Sequence, residues 1–270
     1  MVSHLPDVER FDSIDSTSLA ARRGIRADGP PPHDRPRLLV AAVQTGGVGR
    51  LARPWHSPAG GLWCTLAWTP VLNPLPGSAR LPNLLGLRTG LACVRALEAI
   101  VRRRETEPSA RVTLKWPNDV LVNGRKAVGV LTEVVSSSHA APDSARWCVL
   151  VGVGLNANFD LAELPEELHA RATTLRHELG RDIDLDAARD ELAAQLLAAL
   201  SGDEPDHAVI EAIRSRLHVP LATDPPARIT LADGTSFEAS IDSLRDDGSL
   251  RVRTDRGPRD LPPGSEIAFS

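Results

Sequence analysis

Lys115 and Lys126 are the two lysines of a 270-residue chain whose lysines and arginines together number 31. Both fall in one stretch, Lys115-Trp116-Pro117-Asn118-Asp119-Val120-Leu121-Val122-Asn123-Gly124-Arg125-Lys126. An ammonium is a compact charge on a flexible stem that meets a carboxylate or phosphate oxygen head-on, whereas guanidinium presents a planar fork. A chain that uses arginine for nearly every cation has a chemical use for the lysines it keeps. Between them, Pro117 holds Trp116 extended and fixes a corner that carries Asn118 and Asp119. Asn and Asp are ordinary turn formers, but turn formation does not explain the lysine beside them. A hard cation such as magnesium takes oxygen ligands, often only one or two from protein, and Asn118 or Asp119 could supply one.

A second candidate is Gln44-Thr45-Gly46-Gly47-Val48-Gly49-Arg50-Leu51-Ala52-Arg53-Pro54-Trp55, three glycines beside two arginines. Glycines let backbone N–H groups approach an anion, and arginine forks match phosphate oxygens. The stretch lacks the Gly-Lys-Ser/Thr ending of a P-loop and does not open a helix as a Rossmann fingerprint does. An anion-binding loop and a plain structural turn both fit these residues.

Composition narrows the class. Apolar residues at 42% and charged residues at 24% are ordinary for a soluble globular protein. A net charge of -4 gives no basic field for nucleic acid or acidic membrane. Tyrosine is absent, so base stacking would rest on five tryptophans, which argues against single-strand binding. The three cysteines, Cys64, Cys93 and Cys148, are far apart in apolar settings and read as reduced and buried. No apolar run reaches about 18 residues and Met1 to Arg10 lacks a signal core, so a cytoplasmic location is expected.

The elements that must position these residues follow from pattern. Val8 to Ile14 reads as a strand, followed by a helix start at Asp15-Ser16-Thr17-Ser18, where hydroxyls cap orphan N–H groups. A Pro/Arg/Gly-rich loop is expected from Gly24 to Arg37, then strands over Leu38 to Val43 and Leu62 to Trp68. A helix is expected from about Leu84 to Arg104. Strands follow over Val112 to Trp116, Val120 to Val122, Ala127 to Val135 and Trp147 to Val153, with Asn123-Gly124 as a two-residue hairpin turn. Helices are expected over Asp186 to Leu200 and His207 to Leu217. Beyond Val219, short alternating strands broken by Ala-Asp-Gly, Asp-Asp-Gly and Asp-Arg-Gly predict a small antiparallel barrel, with the boundary near Pro220.

Five ordered motifs across about residues 10 to 158 resemble the biotin protein ligases, the biotin–acetyl-CoA-carboxylase ligase family. They are Asp15-Ser16-Thr17, Gln44 to Gly61, Lys115 to Asp119, Gly124-Arg125-Lys126 with Gly129 and Glu133, and Gly152-Val153-Gly154-Leu155-Asn156. The resemblance implies an α+β fold like that of class II aminoacyl-tRNA synthetases, a mixed, mainly antiparallel sheet flanked by helices. It further implies a catalytic domain over residues 1–218 and an SH3-like β-barrel over 219–270. The implied substrates are biotin and ATP with magnesium, joined as biotinyl-5′-AMP, and the implied partner is a biotin carboxyl carrier domain whose lysine receives the biotinyl group. Ser16, Thr17, Ser18 and Gln44 would then hold the ureido ring. Gly129, Gly152 and Gly154 would bring backbone near the ligand, with Gly47, Gly49 and Arg50 in the loop over the adenylate. Lys126 would lie against the biotin carboxylate and α-phosphate, Lys115 and Asn118 by phosphates or magnesium, and Asn156 by the nucleotide. Asp119 would orient or deprotonate the acceptor amine, or brace Lys115. Trp55 and Trp116 read as packing residues and His56 is assigned no role.

Three readings stay open: the biotin ligase, a lipoate-type acyl ligase, and a non-catalytic biotin-binding regulator. Monomer and homodimer are both compatible with the sequence. The few residues ahead of residue 8 leave no room for a winged helix-turn-helix, so the chain is not expected to repress DNA by itself. One departure bears on mechanism. The family's loop usually reads Gly-Arg-Gly-Arg-Arg-Gly-Arg, and in this chain it is Gly47-Val48-Gly49-Arg50-Leu51-Ala52-Arg53. Each missing charge-assisted hydrogen bond is worth about 1.5–3 kcal/mol, so a looser loop and faster loss of adenylate are expected. Val48→Arg should slow adenylate release in a chase experiment, and an unchanged off-rate would refute the looser loop.

Overall fold

The computed structural model describes residues 5–69, 81–102, 110–136, 147–201, 203–218, 226–231, 233–261 and 265–268. Its larger unit contains β1 (Asp7–Ile14), α1 (Thr17–Asp28), β2 (Arg37–Gln44), β3 (Leu62–Trp68), α2 (Leu81–Arg102), β4 (Val112–Lys115) and β5 (Asp119–Val122). It continues through β6 (Arg125–Ser136), β7 (Trp147–Leu155), α3 (Leu175–Leu179), α4 (Leu185–Leu200) and α5 (Asp206–Arg214). Seven strands form one sheet in the order β1-β2-β3-β7-β6-β5-β4, in which β1 and β2 pair parallel and the other neighbours antiparallel. The fold is therefore α+β, with a mixed, mainly antiparallel sheet flanked by helices.

Alternation along the strands sorts the two faces. Leu38, Val40, Leu66, Val128, Val130, Val149, Val151 and Val153 point to a core shared with Leu87, Leu91 and Leu97 of α2 and Leu192 and Leu196 of α4. On the other face, Leu39, Ala67 and Leu150 pack under Ala21 and Ile25 of α1. That second face is covered by α1 at one end and by a cluster of Trp63, Phe159, Leu164 and Ala172 at the other.

The helix start at Ser16 is where capping chemistry places it, its side chain accepting from the Leu19 amide. Helix α1 continues four residues past Gly24, into the span expected as a loop, because Ile25 reaches the sheet, and it stops at Gly29, whose φ of 82° suits glycine and whose N–H donates to the Ile25 carbonyl. Asn123 and Gly124 both take positive φ, 50° and 83°, as a tight hairpin requires. Leu217, expected as the end of a helix, lies beyond α5 and bridges to Leu114 instead, a tie to the β4 edge that periodicity does not reveal.

The C-terminal segment forms β8 (Ala227–Thr230), β9 (Ser236–Leu244), β10 (Leu250–Thr254), β11 (Gly257–Leu261) and β12 (Glu266–Ala268). They make an antiparallel sheet in the order β11-β10-β9-β8-β12, which among the described residues is open, with β11 and β12 at its two ends. Gly234, Gly248 and Gly257 carry the positive φ of the turns foreseen at Asp-Gly and Arg-Gly. The expected domain boundary near Pro220 and the expected helix end at Arg104 lie outside the described residues.

All three cysteines are free and buried. Burial pushes the Cys64 and Cys148 thiols up to about 12 and raises Cys93 as well. These thiols are protonated at neutral pH and should react with a thiol reagent at pH 8 only as fast as the chain opens. A raised folded-state value also means that stability is lost as pH climbs from the ordinary thiol value of 9.0 toward about 12. Rapid labelling of the folded protein would contradict this burial.

Candidate active site

Residues directly opposite in antiparallel strands share a face, so the pairing register decides which side chains meet. One row runs Lys115 opposite Asp119, Asp119 opposite Gly129, Gly129 opposite Gly154, and Gly154 opposite Trp63. The next row runs Leu131, Gly152 and Thr65. Three glycines thus lie together on the face partly covered by α1, a trough whose floor carries no side chains and against which the Trp55 ring and the Ser18 hydroxyl rest.

Lys126 reaches this face through an irregularity. Val120 pairs with Val128, yet the next residue, Leu121, pairs with Lys126, which leaves Ala127 as the extra residue of a β-bulge. Without it Lys126 would share the parity of Val128 and point into the core. With it, the Lys126 Nζ lies 2.7 Å from Asp119 Oδ1, and both groups are part-exposed at the side of the trough. Asn156, buried under this corner, donates from Nδ2 to the Thr173 carbonyl at 3.1 Å and to the Lys126 carbonyl at 3.5 Å. Its side chain thus braces the backbone on which Lys126 stands.

Asn118 and Asp119 follow a cis Trp116-Pro117 bond. Asn118 Nδ2 donates to the Val130 carbonyl at 2.5 Å, and its Oδ1 accepts from Arg50 at 3.0 Å. The glycine loop is therefore tied to the Lys-Trp-Pro-Asn-Asp corner by a guanidinium. Within the loop, Gly49 donates to the Arg53 carbonyl at 2.8 Å and Val48 bridges to Pro54. Gly47 is required for packing, since a Cβ there would fall 2.3 Å from the Trp55 carbonyl oxygen.

At the far end of the trough the groups are neutral. Gln44 Oε1 accepts from the Thr17 amide at 2.8 Å and from the Thr17 hydroxyl at 3.1 Å, while Gln44 Nε2 donates to Ser57 at 2.8 Å. Thr17 and Ser18 each lie about hydrogen-bond distance from Thr65, at 2.8 and 3.0 Å. Asp15 steadies the helix start. It accepts from the Ser16 amide at 2.7 Å, and its pairing with Arg23 holds its carboxyl down at about 2. Further along α1, Arg22 pairs with Glu133 of β6, its Nε 3.2 Å from Oε2, and so ties the helix to the strand that carries Gly129.

Every proposed site residue on the sheet thus faces one trough, with cations at one end and hydroxyls at the other. Sequence reading missed Thr65 and Ser57 as members of the polar end. The signal for Thr65 was a polar residue inside β3, a strand buried at all of its positions. Trp55, read as a packing residue, does pack, but over the glycines. A Cβ on Gly129 would lie 2.7 Å from its ring and one on Gly154 2.3 Å from its Nε1. The Lys126 ammonium sits 5.0 Å from the same ring centroid, within cation–π range. Trp55 Nε1 is buried against Gly154 and has no hydrogen-bond partner among the described residues.

Gly154→Ala should force the indole off the floor and cost about 1–3 kcal/mol of stability. Combined with Trp55→Ala the same substitution should cost little more, because the obstacle is gone. Equal costs in both backgrounds, by denaturant unfolding, would show that the ring is not what the glycine accommodates.

Known proteins share this arrangement of segments. A family model described as the biotin/lipoate A/B protein ligase family matches residues 11–156. The biotin–acetyl-CoA-carboxylase ligase of Paracoccus denitrificans is 33% identical over 266 residues, covering 96% of this chain and 98% of that protein. The bifunctional ligase/repressor BirA of Bacillus subtilis is 39% identical over 148 residues, 54% of this chain and 40% of its own length. The chain thus spans less than half of that relative, and 47% of the Bacillus spizizenii one. Among solved structures, the Aquifex aeolicus biotin protein ligase in complex with biotin and ATP superposes with a TM-score of 0.72 at 27% identity, covering 98% of this chain and 99% of that one. A family match over more than half the chain, together with a full-length relative, shows that this chain belongs to the biotin/lipoate A/B protein ligase family.

Proposed function

We propose that the protein is an ATP-dependent biotin protein ligase. The observation that carries the reading is the Lys126–Asp119 contact at one end of a glycine trough whose other end is lined by hydroxyls and an amide. Adjacent strands lie about 5 Å apart, so the two inter-strand steps from Gly152 to Asp119 span about 10 Å. A bicyclic urea with a five-carbon acid tail has that reach, with a neutral head for the polar end and an anionic tail for the cation.

In the first step a biotin carboxylate oxygen bonds to the α-phosphorus of ATP, the bond to the β-phosphate bridging oxygen breaks, and pyrophosphate leaves. Lys126 holds the two anions together and neutralises charge that builds in the transition state. Arg50, delivered by the loop and steadied on Asn118, and Lys115 on the neighbouring strand serve the phosphates. Magnesium would arrive with the nucleotide and ask for one or two protein oxygens, for which Asn118 Oδ1 would have to exchange its bond to Arg50. In the second step a carrier lysine's amine nitrogen bonds to the acyl carbon, the acyl–phosphate C–O bond breaks, and AMP departs. Asp119 orients that amine and takes its proton. Asn156 serves the site by bracing Lys126, since its amide hydrogens already serve the Lys126 and Thr173 carbonyls.

The same reading takes residues 1–218 as the catalytic domain and 219–270 as an SH3-like unit, supported by five short antiparallel strands joined through glycine turns. Its partner is a biotin carboxyl carrier domain, without nucleic acid or membrane. No described helix is long and apolar enough to cross a membrane, and the buried free thiols suit a cytoplasmic protein.

Biotin-dependent pyrophosphate release from ATP, followed by label transfer to a carrier domain, tests the reading directly. Lipoate in place of biotin separates it from the lipoate-type alternative, and absence of pyrophosphate release with biotin binding intact would favour a regulator. Lys126→Arg should lose about 100-fold in adenylation rate, because a planar fork does not reproduce a point contact made in the transition state. Near-normal turnover would rule out a transition-state contact by Lys126.

A further inference from the structure

Thr65 is wholly buried in β3 and is given no part in the two proposed steps of ligation, yet it is the junction of the polar end of the trough. Only one arrangement of protons makes every contact of that end a hydrogen bond. Gln44 Oε1 faces the Thr17 backbone N–H at 2.8 Å, an obligate donor, which fixes the orientation of the amide. The Thr17 hydroxyl, 3.1 Å from that oxygen, therefore spends its one proton on Gln44. In the 2.8 Å contact between Thr17 and Thr65, Thr65 is then the donor. Its proton is used there, so in the 3.0 Å contact with Ser18 it must accept, and Ser18 donates. Gln44 Nε2 continues the chain to Ser57 at 2.8 Å, and Ser57 donates to the Trp55 carbonyl at 3.2 Å.

Every hydroxyl proton in this chain is consumed inside it. What Thr17 and Ser18 have left is lone pairs, and Ser18 Oγ stands over Gly152, 2.7 Å from where a Cβ would be. Gln44 Nε2 keeps its second N–H. The polar end thus offers acceptors in pairs and a donor beside them, the inverse of a cyclic urea with two N–H groups and one carbonyl oxygen. A dithiolane ring has no N–H to give and gains nothing from such acceptors.

Resting on the biotin ligase reading, we propose that Thr65 is the positioning residue that sets this polarity. By accepting from Ser18 and donating to Thr17 it holds both hydroxyls as acceptors for urea N–H groups, and so makes the pocket selective for a cyclic urea. It touches no substrate itself.

The test is a steady-state comparison of Thr65→Val, which keeps the shape and removes the hydroxyl, with Thr65→Ser, which restores it. Biotin-dependent pyrophosphate release by the unaltered enzyme is the control that separates a failure of this inference from a failure of the function. For Thr65→Val the KM for biotin should rise about tenfold, the size expected for a disrupted hydrogen-bond network. Desthiobiotin, which keeps the urea and lacks the ring sulfur, should lose the same factor. The kcat at saturating biotin and the KM for ATP should stay within about twofold, and Thr65→Ser should recover most of the loss. If Thr65→Val does not fold, Thr65→Ala and Thr65→Cys enter the same comparison. A folded variant with biotin KM unchanged overturns the proposal. So does a loss shared equally by biotin KM, ATP KM and kcat, which marks a structural role alone.

Discussion

Lys126 meets Asp119 because β6 carries one more residue than β5 between Val128 and Lys126. The rest of the site depends on that bulge. Strand geometry alternates side chains between two faces, and one extra residue moves everything beyond it to the other side. In β6 the shift lies beyond Gly129 and Val128, so the glycine stays on the trough floor, the valine stays in the core, and the lysine, with Arg125 after it, is re-aimed. Further hydrogen bonds lock the displaced backbone: Lys126 donates to the Arg171 carbonyl at 2.8 Å and accepts from Thr173 at 2.9 Å. An ammonium held this way is a fixture of the fold, and its aim does not rest on the long, flexible side chain alone.

The Lys-Trp-Pro-Asn-Asp corner is likewise held from behind. The Trp116 indole, buried in the core, donates to the Gly248 carbonyl at 3.0 Å, in the turn between β9 and β10. Arg214 at the end of α5 reaches the Leu244 carbonyl and Asp246, each at 2.8 Å. Leu114, Trp116, Leu250 and Val252 belong to one continuous apolar cluster. The C-terminal sheet therefore buries the back of the corner whose front carries Lys115, Asn118 and Asp119, so these residues are positioned by both units of the chain.

How far the site could be read from sequence followed the range of the interactions. The Ser16 cap, the Asn123-Gly124 turn, the glycine turns of the C-terminal sheet and the apolar runs of β3, β6 and β7 are local, and local chemistry marks them. The two lysines stood out by composition, and the resemblance grouped them with the glycines. The bulge at Ala127 had no such mark, because an extra residue in a strand of small and branched side chains leaves alternation looking merely imperfect. Thr65, Ser57 and the placing of Trp55 over Gly129 and Gly154 depend on contacts between distant segments, which only the register of the sheet brings together.

The glycine loop shows what the sequence departure means physically. Leu51 and Ala52 both adopt left-handed backbone, φ 54° and 55°, and Leu51 is exposed. For residues with a Cβ this conformation costs roughly 1–2 kcal/mol each, whereas glycine adopts it freely. The family's usual pattern has glycine at the position of Ala52, and the backbone seen at Ala52 costs more than it would with glycine there. Arg50, 3.0 Å from Asn118, opposes that cost with a charge-assisted hydrogen bond of comparable size. That bond offsets part of the cost of the two left-handed residues, so the loop's path leans on Arg50.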